Sequence, residues 1–364
     1  MKIGFLSYFT LRAGEGFEHW LNEVTNKLSL EHEISILTSN KGPRRWNIQN
    51  EFKGINVVEQ SFSKSILLPF SRENKAIKRF FKESDLVYSL YFTSSHMSLG
   101  LDAAVYVLQS LTGTPVIFGH HNPNDWYNAN PSLTGKVGNR IGKKIEAHHA
   151  LNEETKQGLL KWGIKKVYKI PNGVNTYTFK PLAKFDRFSL LFVGSLEKRK
   201  GVEQLPTVVS SLVQRIRDFD FYIIGNGEMS SVFDALKSNP RVKWLGFVDE
   251  KTKRELYSSC HVLVAPSKAE TFMMTGLEAM ASGTPVVTSD IAGPKEYVIN
   301  NVNGYLTRDS HEIVEKLVSM FHSWKKGEND YYQLTVNARK TAEEFDWTNI
   351  LPKLENMFKE VSRA

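Results

Sequence analysis

A succession of short β-type runs and amphipathic helical patterns occurs twice along the sequence. In the first half we predict strands at Met1–Leu6, Ile34–Thr38, Leu86–Leu90 and Pro115–Gly119, and helices at Glu18–Leu30 and Leu99–Leu111. This alternation is typical of βαβ units, in which helices cover both faces of a parallel sheet. The first half is therefore predicted to be an α/β domain.

The succession restarts after Asn172–Asp186, a segment that contains Asn-Gly and Pro181, as linkers do. We predict strands at Phe188–Val193, Phe219–Gly225, Val242–Leu245, Val262–Pro266 and Pro285–Ser289, and helices at Val202–Arg217 and Glu250–Ser259. A chain of 364 residues suits two domains. We expect two facing Rossmann-like, doubly wound domains, residues 1–172 and 173–345, and a last segment, 346–364, whose helix at about Ile350–Val361 packs back toward the first.

Composition excludes several classes of protein. The single cysteine, Cys260, rules out an internal disulfide framework and is expected to be a buried thiol. No apolar run approaches the 18 residues of a membrane-spanning helix. Met1–Leu6 has the pattern of a first strand and lacks the features of a signal peptide, so cytoplasmic residence is the default expectation.

Positive charge is concentrated in the N-terminal half. Residues 1–172 carry 22 Lys and Arg against 15 Asp and Glu. Within Phe62–Phe81, aromatic and aliphatic residues alternate with basic ones. Two interpretations stay open: a peripheral contact with an anionic membrane, at the inner face of the cell membrane, or a helix packed on the sheet with a solvated basic face. A nucleic-acid partner is not expected.

The segment Ala269–Pro285 is the most informative for function. Glu270 and Glu278 are separated by seven residues, and a helix is predicted to begin near Met274, between them. The N–H groups of a helix N-terminus can hold a phosphate or sugar hydroxyls. Glu278 could accept the two hydroxyls of a nucleotide ribose. An ordinary amphipathic helix with solvated glutamates would show the same pattern.

This segment resembles the Glu-x7-Glu motif of the family 4 glycosyltransferases (group 1, GT-B fold). Further matches follow in the family's order: Ile170–Asn175 resembles its hinge, Phe192–Gly201 its phosphate loop, Ile224–Glu228 and Leu245–Val248 two donor-domain turns, and Val264–Ser267 the loop before the glutamates. In the first half, Pro115–Asn122 resembles the strand that ends in an active-site histidine, and Ala13–Gly16 a glycine loop.

The resemblance implies a retaining, metal-independent enzyme without a cofactor. It would move a hexosyl unit from a nucleotide diphosphate sugar to a glycan, lipid-linked or small-molecule acceptor. Alternatives are a GT-B sugar-nucleotide epimerase, a phosphorylase, or a non-catalytic sugar-nucleotide binding protein. The implied catalytic residues are His121 (His120 less so), Glu270 and Lys200. The implied donor-binding residues are Gly14, Gly16, Gly194, Ser195, Arg199, Lys200, Phe247, Phe272, Met273, Met274, Thr275 and Glu278.

Two positions depart from the family pattern. Ser195 stands where the family has Arg, so Arg199 is expected to supply the second cation. Met273 stands where the family usually has Gly, and we expect its side chain to narrow the site or shift the backbone. Two other signals are set aside: Asp218-Phe-Asp220 is predicted to be a turn-to-strand edge and not a metal motif, and Gly225-Asn-Gly227 is not a dinucleotide fingerprint. The pair His148-His149 is expected to be structural.

Overall fold

The computed structural model describes residues 1–8, 10–11, 16–41, 47–61, 72–90, 96–122, 133–216, 218–236 and 239–363. These form two compact units. The first comprises Met1–Pro171 together with Leu351–Ala364, and the second comprises Asn172–Ile350. Each unit is built on its own parallel sheet, as the repeated alternation predicted.

The first unit contains a seven-stranded sheet in the order β3-β2-β1-β4-β5-β6-β7. Its strands are β1 (Lys2–Ser7), β2 (Glu33–Ser39), β3 (Asn56–Gln60), β4 (Leu86–Leu90), β5 (Val116–His120), β6 (Ala147–Ala150) and β7 (Val167–Lys169). Its helices are α1 (Gly16–Leu28), α2 (Ile48–Glu51), α3 (Arg72–Glu83), α4 (His96–Thr112), α5 (Leu133–Gly142) and α6 (Glu153–Lys161).

Helix α3 covers the part of the basic stretch that the structure describes. Ile77, Phe80 and Phe81 are buried, whereas Lys78 and Arg79 are exposed. The apolar side chains of α3 belong to the core of the first unit, together with Leu6, Val87 and Phe118 among others. Residues 62–71 lie outside the described chain. For α3 itself, the structure favours a packed helix with a solvated basic face.

The C-terminal helix α12 (Trp347–Ser362) begins in the second unit and ends in the first. The Phe358 ring lies edge-on to Phe5, with 6.1 Å between the ring centroids. His32 Nε2 lies 3.2 Å from Glu355 Oε1, and Tyr168 donates a 2.7 Å hydrogen bond to Glu360. Apolar and polar contacts together fix the end of α12 within the first unit.

The second unit contains a six-stranded sheet in the order β10-β9-β8-β11-β12-β13. Its strands are β8 (Phe188–Val193), β9 (Phe219–Ile224), β10 (Val242–Gly246), β11 (Val262–Ala265), β12 (Val286–Ser289) and β13 (Gly304–Thr307). Its helices are α7 (Leu205–Arg215), α8 (Glu250–Ser259), α9 (Met274–Ala281), α10 (Ser310–Lys326), α11 (Asn329–Glu344) and the start of α12.

The predicted hinge is anchored within the second unit. The N–H of Val174 donates to the carbonyl of Phe345 at 2.9 Å, and the Thr176 hydroxyl donates to Asp346 at 2.6 Å. A Cβ added at Gly173 would lie 2.5 Å from the Trp347 ring, so only glycine fits there. The Pro-Asn-Gly signal therefore reflects close packing of the hinge backbone against the start of α12.

Two predicted features need correction. The helix predicted over Val202–Arg217 begins as a short 3-10 turn, and α7 proper starts at Leu205 with a proline in its first turn. A proline has no N–H to donate and is favoured at a helix start. The sequence pattern also left the strands β3, β6, β7 and β13 unassigned.

Two other predictions are confirmed. Cys260 is a buried free thiol. Asp218 lies directly before β9 and Asp220 lies within it, which is the predicted turn-to-strand edge, and each carboxylate has a cationic partner in Arg187 or Lys243. Among the described residues, no helix combines the length and the hydropathy that spanning a membrane requires.

Candidate functional site

The second sheet reverses its order between β8 and β11. From β8 the chain proceeds outward through β9 and β10, and from β11 it proceeds the other way through β12 and β13. The carboxyl ends of the strands beside such a switch point form the ligand crevice of open α/β sheets. The segments that follow β8 and β11 are the predicted phosphate loop and the predicted double-glutamate segment.

Lys200 and Glu270 meet at this edge. Lys200 Nζ lies 2.6 Å from Glu270 Oε1, and the Ser267 hydroxyl donates to the same oxygen at 2.9 Å. Arg199 Nη1 lies 3.5 Å from Glu270 Oε2. The side chain of Lys200 is 15% exposed and that of Glu270 8%. A buried carboxylate is therefore held by two cations and a hydroxyl, a network no single segment of the sequence reveals.

Gly201 makes the approach of these two loops possible. Its φ is +65°, in the left-handed region, and a Cβ there would lie 1.8 Å from the carbonyl oxygen of Pro266. Gln204 donates to the same carbonyl at 3.1 Å, and the Lys268 N–H donates to the carbonyl of Arg199 at 2.8 Å. At Gly194, by contrast, a Cβ would make only ordinary contacts, so the glycine requirement of the turn falls on Gly201.

The turn after β9 packs against the backbone of the predicted phosphate loop. Gly225 has a φ of +128°, and a Cβ there would lie 1.9 Å from the carbonyl oxygen of Gly194. The Leu196 N–H donates to the carbonyl of Asn226 at 3.0 Å. Gly225-Asn-Gly227 thus acts as a backbone support, which agrees with its rejection as a dinucleotide fingerprint.

Helix α9 starts at an unusual residue. Met273 has φ +54° and ψ +71°, a left-handed conformation that costs a non-glycine residue of the order of 1 kcal/mol. Its side chain is buried, and its sulfur accepts a 3.4 Å contact from the Thr288 hydroxyl. The Tyr297 hydroxyl donates to the Met273 carbonyl at 2.7 Å. The left-handed backbone gives a physical reason why glycine suits this position.

The first turn of α9 carries Met274 and Thr275, both partly exposed. Among the described residues, no side chain caps this helix end. The N–H groups of an uncapped first turn carry partial positive charge and suit an anionic ligand. This end lies four residues beyond Glu270 along the chain, and Glu270 contacts Arg199 and Lys200 of the predicted phosphate loop.

Glu278 lies half-buried one turn into α9. Burial raises the pKa of its carboxyl group, and the nearby Lys253 and Tyr257 of α8 oppose that shift. The Tyr257 side chain is buried. Glu278 is therefore a carboxylate in a partly dry environment, suited to accept hydrogen bonds from hydroxyl groups.

His121 lies in the first unit, directly after β5. Its Nε2 is 2.7 Å from the Tyr88 hydroxyl, and its ring centroid is 4.4 Å from that of Trp20. Burial, and secondarily His149, hold the pKa of His121 well below its usual range. The preceding residue, His120, is turned away and contacts His148, with 2.9 Å between Nε2 and Nδ1.

The other predicted donor-binding residues differ in their burial and in their place in the fold. The Phe272 ring is buried against Tyr297 and Phe345, whereas Phe247 is 67% exposed in the turn after β10. Gly16 begins α1, where a Cβ would meet no atom within 4 Å. Gly14 lies outside the described residues. Ser195 lies in the loop between Gly194 and Lys200.

Sequence reasoning missed several members of these clusters. Ser267 was noted only as part of a loop, yet its hydroxyl contacts Glu270. Lys253 and Tyr257, spaced four residues apart on α8, both face Glu278, and Tyr88 contacts His121. The i, i+4 spacing on α8 is a signal that a sequence can show. Nothing in the sequence pairs Tyr88 with His121.

Comparison with known proteins agrees with this geometry. Residues 187–323, most of the second unit, match the family described as Glycosyl transferases group 1. Within the second unit, this chain is therefore similar to the group 1 glycosyltransferases. An uncharacterised glycosyltransferase of Methanocaldococcus jannaschii is 31% identical over 215 residues, which cover 53% of this chain and 54% of that protein.

Two further similarities extend the comparison. The phosphatidyl-myo-inositol mannosyltransferase of Mycolicibacterium smegmatis is 28% identical over 208 residues, covering 54% of this chain and 52% of that one. The chain thus spans about half the length of the curated relatives it matches. The crystal structure of Anabaena HepE in complex with UDP aligns over 99% of this chain and 100% of its own, with a TM-score of 0.82 and 18% identity. At that identity the likeness shows the fold, and the fold is GT-B, as predicted.

Proposed function

We propose that this protein transfers a hexosyl unit from a nucleotide diphosphate sugar to a hydroxyl group of a glycan, lipid-linked or small-molecule acceptor, with retention of anomeric configuration and without a metal ion. The observation that carries the proposal is the contact of Lys200 and Arg199 with Glu270 at the switch point of the second sheet. The similarity of residues 187–323 to the group 1 glycosyltransferases supports the reaction class.

The cations of the predicted phosphate loop, Arg199 and Lys200, suit the leaving group of such a reaction. When a sugar leaves a nucleoside diphosphate, negative charge grows on the oxygen atoms of the terminal phosphate. Fixed cations and helix N–H groups stabilise that charge without reorganisation. Lys200 and Arg199 supply the cations and the uncapped start of α9 supplies the N–H groups, all of them in the second unit.

Glu270 has two proposed roles beside these cations: it positions them, and it binds the sugar. Its carboxylate holds Lys200 and Arg199 in place through two ion pairs. A carboxylate has about four lone-pair positions, so one that already accepts from Lys200, Arg199 and Ser267 can still accept from a sugar hydroxyl. Glu270 would thus orient the cations toward the diphosphate and the sugar toward the reaction.

Metal independence is proposed from the same groups. The cations that the chain itself supplies can stabilise the diphosphate, a task that a divalent ion performs in other glycosyltransferases. Asp218 and Asp220, the pair that imitates a metal motif, are engaged by Arg187 and Lys243. We expect turnover to persist unchanged in excess EDTA. Loss of activity that Mg²⁺ or Mn²⁺ restores would contradict this part of the proposal.

The relatives suggest where to look for the substrates. HepE was crystallised with UDP and with UDP-glucose, and the mycobacterial relative is named as acting on phosphatidyl-myo-inositol. From these two relatives we choose the probes for this chain. The donors are UDP-, GDP- and ADP-sugars, and the acceptors are lipid-linked as well as soluble glycans. A peripheral contact with anionic membrane would suit a lipid-linked acceptor.

The test is a thermal-shift panel followed by product analysis. A donor that binds the native state raises Tm with the logarithm of its concentration over Kd. With the stabilising donor, release of nucleoside diphosphate separates an enzyme from a mere binder, and proton NMR of the new glycosidic bond gives the anomeric outcome. Binding without any release of nucleoside diphosphate, with or without acceptors, would refute the proposed activity. Inverted product would refute retention alone.

A further inference from the structure

The segment that follows β12 packs against the loop that begins with Glu270. Gly293 and Tyr297 flank its short 3-10 turn, Pro294–Glu296. The Gly293 N–H donates to the carbonyl of Glu270 at 3.1 Å, and the Tyr297 hydroxyl donates to the carbonyl of Met273 at 2.7 Å. One segment of the second unit therefore holds the loop at both ends through its carbonyl oxygens.

From these contacts we propose that Tyr297 is a positioning residue of the donor site. Its hydroxyl holds Met273 in the left-handed conformation from which α9 starts, and thereby fixes the direction of the N–H groups in the first turn of α9 toward the phosphate or sugar of the donor. The second of these steps rests on the proposed function. The first step, from the Tyr297 hydroxyl to the Met273 backbone, stands without it.

Met273 needs outside contacts to keep its backbone conformation. Its φ of +54° and ψ of +71° lie in the region where the Cβ of a residue is too close to the following carbonyl. Glycine, the usual residue at this position in the family that the motif resembles, adopts the same region without that cost. A methionine keeps it only where the surrounding structure outweighs the strain.

Gly276 leaves room for the two side chains that meet beside α9. A Cβ added at Gly276 would lie 2.3 Å from the methyl carbon of Met273 and 2.3 Å from the hydroxyl oxygen of Tyr297. Any larger residue would therefore displace both atoms. The Gly276 N–H also donates to the Met273 carbonyl at 3.1 Å, so this oxygen accepts two hydrogen bonds. Met273, Gly276 and Tyr297 are thus packed as one set.

The Tyr297 side chain is itself firmly held. Its ring is 3% exposed and packs against Phe272 and Phe345, with 5.5 Å and 6.2 Å between the ring centroids. Burial raises the pKa of Tyr297 well above its usual range, so the hydroxyl keeps the proton that it donates. The Met273 sulfur lies 3.4 Å from the Thr288 hydroxyl of β12. The hydrogen bond to Met273 therefore comes from a rigid support and constrains the backbone.

The direction of the first turn of α9 depends on the residue before it. The φ and ψ angles of Met273 set the angle at which the helix leaves the loop, and with it the positions of the N–H groups of Met274 and Thr275. Such groups bind phosphate or sugar oxygens. A loop that already has its bound conformation loses less entropy when the donor binds, so Tyr297 contributes to affinity without touching the donor.

The first measurement needs no substrate. The full chain, labelled with ¹³C at the methyl groups of its 8 methionines, is compared with M273G to identify the Met273 signal. We expect nuclear Overhauser contacts from this methyl group to the ring protons of Tyr297 in the wild-type protein, and a displaced or broadened methyl signal in Y297F. Absence of these contacts in the wild-type protein would overturn the proposal, whatever Y297F does to folding.

The second measurement is calorimetric titration with the UDP-, GDP- or ADP-sugar that raises Tm most, at a temperature where circular dichroism shows every variant to be folded. In Y297F the loop relaxes, and binding must restore the left-handed conformation, so we expect a Kd about tenfold higher. In M273G that conformation carries little strain. Adding Y297F to M273G should therefore change Kd by no more than about twofold.

Y331F is the matched control. Tyr331 is also buried in the second unit, and its hydroxyl donates to the carbonyl of His261 at 3.0 Å. His261 directly precedes β11, whereas the loop with Glu270 follows the carboxyl end of that strand. Y331F should lower Tm as Y297F does and leave Kd unchanged, because a loss of stability alone does not alter the affinity of the folded protein.

The outcomes separate this proposal from the proposed function. An equal rise of Kd on adding Y297F to the wild-type protein and to M273G would overturn the positioning role, and so would an equal rise in Y331F. If none of the sugar nucleotides binds the wild-type protein, the proposed function fails. The methyl signal then still decides the first step: displacement in Y297F supports the hold on Met273, and an unchanged signal overturns it.

Discussion

Removing the Lys200 amine should damage stability and catalysis by separate routes. In K200A the Glu270 carboxylate, 8% exposed, keeps only the Ser267 hydroxyl and the more distant Arg199 at 3.5 Å. Breaking a buried ion pair costs about 3–5 kcal/mol when the remaining charge has no other partner. With Arg199 still present we expect about 2–3 kcal/mol, which lowers the Tm of a unit of this size by roughly 5–10 °C.

The catalytic loss should be of a different origin. Lys200 is proposed to stabilise charge that grows on the leaving diphosphate, and removing one such group typically lowers kcat by about a hundredfold. A second substitution, E270Q, removes the stranded charge. In K200A/E270Q we therefore expect Tm to recover to within a few degrees of wild type, while kcat stays at or below that of K200A.

The assay is scanning calorimetry of the full chain beside steady-state release of nucleoside diphosphate. K268A is the matched control, because Lys268 lies on the neighbouring loop, is 46% exposed and pairs with Glu203. An exposed pair of this kind contributes about 0–1 kcal/mol, so K268A should change neither Tm nor kcat appreciably. A kcat of K200A within about threefold of wild type, or its recovery in K200A/E270Q, would refute the assigned role of Lys200.

Three further changes test individual parts of the structure. G201A should destabilise the second unit by about 3 kcal/mol or more, since a Cβ there would lie 1.8 Å from a carbonyl oxygen, whereas G327A, at a φ of +67° but in open space, should cost only about 1 kcal/mol in urea unfolding. In the wild-type protein, affinity for the donor should fall as pH falls through the raised pKa of Glu278. E278Q should weaken donor binding about tenfold and should remove this pH dependence, both measured by calorimetric titration. Because the folded pKa of His148 and of His149 is about 4, below the value in the unfolded chain, stability of the first unit should be complete above about pH 6.5 and fall toward pH 4; a constant Tm across that window would contradict the buried, neutral state.

The sheet architecture could be predicted because its signals are local. Continuous apolar runs such as Phe188–Val193 are buried on both faces of a parallel sheet, and their ends coincide with the observed strand. Helix α8 was also predicted at its observed bounds, Glu250–Ser259, where the Asp249 side chain caps the first turn. The short edge strand Val167–Lys169 has no such run, and it is defined only by its pairing with β6.

The site could be predicted in part for the same reason. Glu270, Glu278 and Lys200 stand in segments with recognisable spacing, so their identity and their place after a strand were accessible from sequence. That Lys200 and Glu270, seventy residues apart, form one ion pair depends on β8 and β11 being neighbours in the sheet. Sequence spacing carries no information about that adjacency.

By itself the sequence determined two α/β units, the order of the family's motifs and the chemical types of the donor-site residues. Only the tertiary structure decided which of these side chains form ion pairs and which are joined by hydrogen bonds. The left-handed backbone at Gly201 brings two loops close enough for Lys200 to reach Glu270, and Gly119 leaves the space through which Tyr88 reaches His121. Both are consequences of packing between distant segments, because hydrogen-bond direction and ion pairing depend on distances of a few ångströms that local propensity does not set.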